Sequence, residues 1–410
     1  MTLMQEALQP VLPPASGAWR RGDHPGDRRF AEIGDLTLER GGRLNSVGIA
    51  YETWGELAPD GGNAVLVLHA LTGDSHVTGQ AGPGHPTAGW WADLIGPGCP
   101  LDTNQWFVVA PNVLGGCQGT TGPSSPAADG RPYGSRFPFL TVRDQVQAEV
   151  ALADELGIGR WALVVGGSMG GMRALEWAIM QPERVERLFV LASGAAATGD
   201  QIAWCAAQLA AIRADAGFNR GDYYDAEPGK GPHLGLGVAR RIAHTTYRSE
   251  QEINLRFGRL PQSGEDPLGG GGRFAVESYL DHHAEKLTYR FDANSYLVLT
   301  EAMNSHDVGR GRGGVAAALS RVTARTAVAA IASDRLYPPD LNAEIAAGIP
   351  DCASLQVLSS PYGHDGFLVE TEQVGQVLAE LLDETEPVDE TGSVDGTGPV
   401  SQEVLGSRRC

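Results

Sequence analysis

The 410-residue sequence predicts an α/β fold, a mostly parallel sheet with helices on both faces and a helical block inserted late in the chain. Three observations predict it. Short apolar, β-branched runs alternate with helical patterns between residues 47 and 193. Strand-like runs then vanish from about 194 to 312. They resume at 326–333 and 353–360. Strands alternating with crossover helices build a parallel sheet covered on both faces. Because the sheet is completed only after the helical stretch, that stretch reads as an insertion riding on the sheet. The alternative is a separate helical domain on a flexible linker.

The elements follow in order. VGIAYETWG (47–55), AVLVLHAL (64–71), WFVVAPNV (106–113), RWALVVGGS (160–168) and VERLFVLAS (185–193) are too short and too β-branched for buried helices. TVRDQVQAEVALADELGI (141–158) spaces its apolar residues at helical intervals, and a second helix begins after Ser168. QIAWCAAQLAAIR (201–213) and ANSYLVLTEAMNS (293–305) are helices of the insertion, which the loop LGGGG (268–272) interrupts. TAVAAIAS (326–333) and ASLQVLSS (353–360) finish the sheet, and VGQVLAELLDE (374–384) is the last helix. The expected organisation is an N-terminal extension (1–27), a core of 28–193 plus 313–384, a helical lid of 194–312, and a disordered acidic tail (385–410). From Asp383 onward there are seven acids, two arginines and almost no large apolar groups, too little to bury.

Composition narrows the function. With 42% apolar and 20% charged residues the chain suits a soluble globular protein. Its net charge of −19 disfavours nucleic acid and anionic membrane surfaces as partners, so an anionic ligand needs its own local arginine. Cys99, Cys117, Cys205, Cys352 and Cys410 are odd in number and form no CxxC pair, which argues against a disulfide framework or a structural zinc site. A reduced, cytoplasmic protein is the expectation. MTLMQEALQPVLPPASG has no basic start followed by an apolar run, and no stretch of eighteen apolar residues occurs, so neither export nor a membrane span is expected. His282-His283 lies outside any metal-ligand spacing, and no metal or bound cofactor is expected.

Gly166-Gly167-Ser168-Met169-Gly170 fits G-x-S-x-G. Among 55 glycines about 0.4 chance matches are expected, so the pattern alone is weak. Its context is specific: an apolar strand precedes it and an amphipathic helix follows, the setting that forces a nucleophile into a strained turn above a sheet edge. Side chains at 166 and 170 would collide as the backbone folds back, and Gly171 lets helix and strand approach. A phosphate-cradling loop is the rival reading, but no GK[ST] follows. A purely structural turn is the other. The Met169 N–H at the helix start can donate to a developing oxyanion.

A serine hydroxyl needs a base, and in this strand-turn-helix fold type the order along the chain is serine, acid, histidine. His364 lies in SSPYGHDGF just after the 353–360 run, flanked by Gly363 and Gly366. His233, His244, His282, His283 and His306 fall in the helical block, where surface or core roles are expected. Asp334 ends the 326–333 run ahead of Pro338-Pro339 and is placed to orient the imidazole, or else merely to cap the next helix.

Long blocks of the chain resemble the homoserine O-acetyltransferases: YETWGEL, HALTGDSH, GWWADLIGPG, NVLGGCQGTTGPSS, GGSMGGMRALEWA, GDYY, ARRIAHTTYRSE, RFDANSYLVLTEAMNSHD and YGHDGFLVE, spread over roughly 28 to 384. The resemblance implies an α/β-hydrolase core with a helical lid, a homodimer, and acetyl transfer from acetyl-CoA to L-homoserine in methionine biosynthesis. It implies the triad Ser168, Asp334 and His364, oxyanion donors at the Leu71 and Met169 amides, and amino-acid binding by Arg240, Tyr247 and Asp365. A guanidinium can grip a carboxylate, and a carboxylate can hold an ammonium. SDRLYPP departs from the family block at Arg335, where an aromatic is common. Related enzymes that transfer succinyl, a serine O-acyltransferase, a plain serine esterase and a non-catalytic binding protein are the competing readings.

Overall fold

The computed structural model describes residues 12–383, and the acidic tail expected at 385–410 lies outside them. Eight strands form one sheet: β1 (Arg29–Glu32), β2 (Gly48–Trp54), β3 (Ala64–Leu68), β4 (Phe107–Pro111), β5 (Leu163–Gly167), β6 (Arg187–Leu191), β7 (Arg325–Ile331) and β8 (Gln356–Leu358). Their spatial order is β1-β2-β4-β3-β5-β6-β7-β8. Pairing is antiparallel between β1 and β2 and between β2 and β4, and parallel from β4 to β8. β1 has no counterpart in the sequence reading, because RFAE offers a single large apolar side chain. The last strand is also shorter than the 353–360 run.

Alternation along the central strands explains the two covered faces. Leu66, Leu68, Val164 and Val190 point to one side, against α1 (Val142–Glu155) and α2 (Met169–Met180). Val65, Val67, Val165 and Leu191 point to the other, against Trp91 and α9 (Thr371–Leu382). Each fully buried Val or Leu contributes roughly 1.5–3 kcal/mol. Thr141 opens α1 with a capping box, its hydroxyl accepting from the Asp144 N–H while the Asp144 carboxylate accepts from the Thr141 N–H. Among the described residues no helix is long and apolar enough to cross a membrane.

Between β6 and β7 the chain leaves the sheet as α3 (Gly199–Ala214), α4 (His233–Tyr247), α5 (Glu250–Phe257), α6 (Ala275–Thr288) and α7 (Ala293–Asn304). These helices carry their own apolar cluster, which includes Leu209, Ile212, Leu236 and Tyr296 and extends to Leu71 and Met169 of the core. Asp292 ties the cap together: its carboxylate accepts from the hydroxyls of Ser16, Tyr223 and Tyr224 and from the Ser295 N–H. The segment before β1 is therefore stitched into the cap. Gly17 donates to the Phe291 carbonyl at 3.1 Å, and a Cβ at Gly17 would meet the Phe291 nitrogen at 2.5 Å. α8 (Pro339–Gly348) follows β7.

Candidate active site

The carboxyl ends of the parallel strands meet under the cap, the usual place for a site in such a sheet. Ser168 follows β5 directly with φ 58° and ψ −124°, a conformation a side chain rarely adopts and one that costs about 1–3 kcal/mol. What permits it is close backbone approach. A Cβ at Gly166 would lie 2.3 Å from the Gly170 oxygen, and one at Gly170 would lie 2.0 Å from the Leu68 oxygen. The turn is pinned by the Ser168 N–H donating to Leu191 O at 3.0 Å and by the Ser193 hydroxyl donating to Ser168 O at 2.8 Å.

The three separated residues converge. His364 Nε2 is 2.9 Å from Ser168 Oγ, and His364 Nδ1 is 2.6 Å from Asp334 Oδ2. Asp334 Oδ1 accepts from the N–H groups of Leu336 and Tyr337, at 2.8 and 2.9 Å, which fixes the carboxylate plane. With Asp334 accepting at Nδ1–H, the opposite nitrogen of a neutral imidazole carries the lone pair that faces Ser168. All three side chains are buried. Gly363, at φ +66°, packs so tightly on the cap that a Cβ would lie 2.7 Å from Tyr247 O.

Leu71 lies in the loop after β3, and Met169 opens α2 beside the serine. Three anchors hold that loop. Arg173 Nη2 donates to His69 O at 2.5 Å, the Val113 N–H donates to His69 Nε2 at 3.1 Å, and the Ser75 N–H donates to Asn112 Oδ1 at 2.8 Å. Burial and the Arg173 charge push the His69 pKa down to about 3, so its ring is neutral and accepts. Arg173 is itself buried against Glu149, 2.6 Å away, whose other oxygen accepts from Trp177 Nε1 at 2.8 Å. Burial raises the Glu149 pKa while Arg173 and Trp177 oppose the rise.

Arg240 and Tyr247, both on α4, reach the serine from the cap. With Asp365, Leu71, Ser168 and His364 they line a cavity of about 70 Å³. Arg240 lies 5.4 Å over the Tyr247 ring, and its Nη1 is 3.4 Å from Thr72 Oγ1. Its Nε is buried with no acceptor among the described residues. Burial pushes the Tyr247 phenol up to about 12. Asp365 has a partner that the sequence reading missed, since Arg248 Nε lies 3.1 Å from its Oδ2. Burial raises the Asp365 pKa, with Arg248 and Arg240 opposing.

Tyr337 was also missed, although it stands between Asp334 and Pro338 in a stretch the sequence singles out. Its ring stacks on His364 with centroids 5.0 Å apart, and it is buried. Burial holds its phenol well above the ordinary range. Of the cap histidines, His244 is buried against Tyr279, and His306 sits 3.2 Å from Gly194 O, as core roles require.

Asp27, Glu52, His76 and His85 bring four donor atoms within 4.8 Å of one another. A metal bonded to both imidazoles must lie in both ring planes. These rings are stacked 3.9 Å apart and 10° from parallel, so their planes do not meet between them. Hydrogen bonds link the group. Glu52 accepts from the Ser75 hydroxyl at 2.6 Å and faces His76 Nδ1 at 3.0 Å, while His85 Nε2 accepts from the Asp27 N–H at 3.1 Å.

The family model for the alpha/beta hydrolase fold matches residues 63–371. A homoserine O-acetyltransferase of Thermobifida fusca (strain YX) is 65% identical over 380 residues, spanning 92% of this chain and 100% of that protein. The structure of homoserine O-acetyltransferase from Bacillus anthracis superposes with a TM-score of 0.80 at 26% identity, over 87% of this chain and 97% of that one. The structure of esterase E22 also gives a TM-score of 0.80, at 27% identity over 87% and 99%.

Proposed function

This chain belongs to the homoserine O-acetyltransferase family within the α/β hydrolases, and from that premise we propose that it moves an acetyl group from acetyl-CoA to the hydroxyl of L-homoserine by a ping-pong mechanism. The observation that carries the mechanism is the His364 imidazole, held between Asp334 and Ser168 at 2.6 and 2.9 Å.

His364 takes the Ser168 proton as Oγ attacks the thioester carbonyl. The oxyanion that develops is met by the Leu71 and Met169 amides, where one donor is worth about 3 kcal/mol. Collapse breaks the carbon–sulfur bond, CoA leaves with the proton from His364, and the acetyl group remains on Ser168. The homoserine hydroxyl then gives its proton to His364 and attacks the ester, and the serine regains its proton as O-acetyl-L-homoserine departs. Arg240, whose Nε has no acceptor among the described residues, is suited to the amino-acid carboxylate, with Asp365 for the ammonium and Tyr247 beside them. On a chain of net charge −19, the cleft of about 230 Å³ next to this cavity supplies the local cations an anionic donor needs, Arg240, Lys286 and Arg290. The product fits a supply to methionine biosynthesis.

The esterase reading keeps the same triad and gains weight from the likeness to esterase E22. A thiol-release assay crossing acetyl-CoA and succinyl-CoA with homoserine and serine separates them, with mass spectrometry of the protein after acetyl-CoA alone. The expected results are an acetyl adduct on Ser168 and steady CoA release only with homoserine. Ester hydrolysis indifferent to homoserine would establish the esterase instead, and preference for succinyl-CoA would overturn the donor.

A further inference from the structure

Of two cavities near the triad, one is lined by Ser168 itself and the other by aromatic neighbours of His364, and the reaction as proposed assigns no group to the second. The first holds Ser168, Arg240 and Asp365. The second shares Leu71 and Tyr247 with it and continues between core and cap along Met172, Trp204, Met303 and Tyr337. Tyr337 stacks on His364, and Tyr247 lies with its ring centroid 5.8 Å from that imidazole, so this second space opens beside the reacting atoms. Its volume is about 30 Å³, and among the described residues its lining has no acidic, basic or histidine side chain, its polar members Gln201, Gln208, Thr246 and Asn304 being neutral.

From this geometry we infer that the second cavity receives the acyl methyl group of the acetyl-serine and sets the enzyme's acyl selectivity. This rests on the acyl-transfer reading above. With the ester carbonyl oxygen on the Leu71 amide, the methyl end turns toward a wall to which Leu71 also belongs. A water needs about 10–15 Å³ of such volume, so the space admits a methyl and little more. A succinyl group would bring four further heavy atoms ending in a carboxylate. The lining offers that carboxylate no cation, and burying an unpaired charge is strongly unfavourable. Discrimination is therefore double, by size against propionyl and by size and charge against succinyl. A site that excludes one extra methylene by size alone typically achieves about 10–200-fold.

The test is kcat/KM by thiol release with acetyl-, propionyl- and succinyl-CoA at fixed homoserine, for the wild type and for Met303→Ala and Trp204→Ala. Two variants are needed because Met303 is buried and its truncation risks the cap, whereas Trp204 is half-buried. The wild type should prefer acetyl over propionyl by about 10-fold or more. At least one folded variant should raise the propionyl-to-acetyl ratio about 10-fold without raising succinyl use, since truncation adds room but no cation. An unchanged ratio in both variants, or equal wild-type use of acetyl and succinyl, overturns the inference while leaving acyl transfer intact. Absence of thiol release from every donor overturns the acyl-transfer reading and this inference together.

Discussion

The triad at the strand ends and the charged groups descending from the cap hold their geometry in different ways. Ser168, Asp334 and His364 are each fixed by backbone groups a few residues away: Ser168 by the close contacts of Gly166 and Gly170, Asp334 by the Leu336 and Tyr337 amides, and His364 by the Gly363 turn. Arg240 meets the core through a 3.4 Å contact to Thr72 while lying over the face of its cap neighbour Tyr247, and Arg248 meets the core through Asp365. A side chain held by short backbone loops has one position. Groups on an inserted helical layer are placed by how that layer packs, which suits recognition that must differ between substrates on a shared sheet.

The sharpest way to break the comparison is Asp334→Asn. Because two backbone N–H groups claim Oδ1, the asparagine carbonyl stays there and its NH2 faces His364 Nδ1. The imidazole then turns its lone pair to Nδ1 and carries its proton toward Ser168, where it cannot act as base. We expect kcat to fall by about 10⁴ with little change in stability. A decrease below tenfold would mean the aspartate serves only to cap the turn.

Arg173→Met tests the support beneath the loop that carries Leu71. It leaves Glu149 buried without its cation and frees the His69 carbonyl, and the expected loss is about 3–5 kcal/mol in urea unfolding. If the loop matters more than the ion pair, acetyl transfer will decline under conditions where the variant is still folded. Arg240→Gln moves to the cap. It should reduce kcat/KM for homoserine by about 10²-fold, in the range for removing one partner of a buried charge pair. Hydrolysis of a small neutral acetyl ester should change little, since that substrate has no carboxylate. Equal losses on both would place Arg240 in the chemistry itself.

His76→Gln brings pH into the comparison. Burial disfavours a charged His76, but the Glu52 carboxylate raises its pKa above the ordinary 6.5, with Asp74 adding to this. Burial likewise opposes the Glu52 charge, yet His76, Ser75 and His85 bring its pKa below 4.5. Arg28, His85 and Asp27 also face the pair. A raised histidine stabilises fully below its unfolded pKa and loses that contribution as pH climbs through the folded value. A depressed carboxylate does the reverse. Both contributions are therefore complete between pH 4.5 and 6.5. His76→Gln should cost about 1.5–3 kcal/mol there and less at pH 9. A gap of equal size at both pH values would mean His76 acts by packing alone.

Legibility in the sequence follows the same division. The nucleophile turn could be read because strand, glycines and helix lie within twenty residues, and strain at Ser168 demands small neighbours. His364 and Asp334 could be read because strand ends leave a recognisable trace. Arg248, Tyr337 and the Glu52–His76 pair could not, since nothing local distinguishes a half-buried cap arginine or an aromatic next to prolines from ordinary packing residues. β1 escaped because an edge strand of RFAE takes its order from pairing with β2, which no window of sequence contains.

Lys286→Gln carries the smallest expected effect and tests whether the cap's charge reaches beyond the amino acid. Lys286 is exposed on α6 at the rim of the larger cleft, whereas Arg290 in the same cleft is braced by its bond to Thr72 O at 2.7 Å. An exposed cation facing a phosphate is worth little, so KM for acetyl-CoA should rise by about two- to fivefold with kcat unchanged. The difference should shrink as salt is raised toward about 0.5 M, because the Debye length contracts below the separation of such charges. A small neutral acetyl ester, which has no phosphate to lose, should show no change in KM. A loss in kcat, or a loss shared by the neutral ester, would show that Lys286 acts through the cap's packing. The charged face of the cap would then end at Arg240.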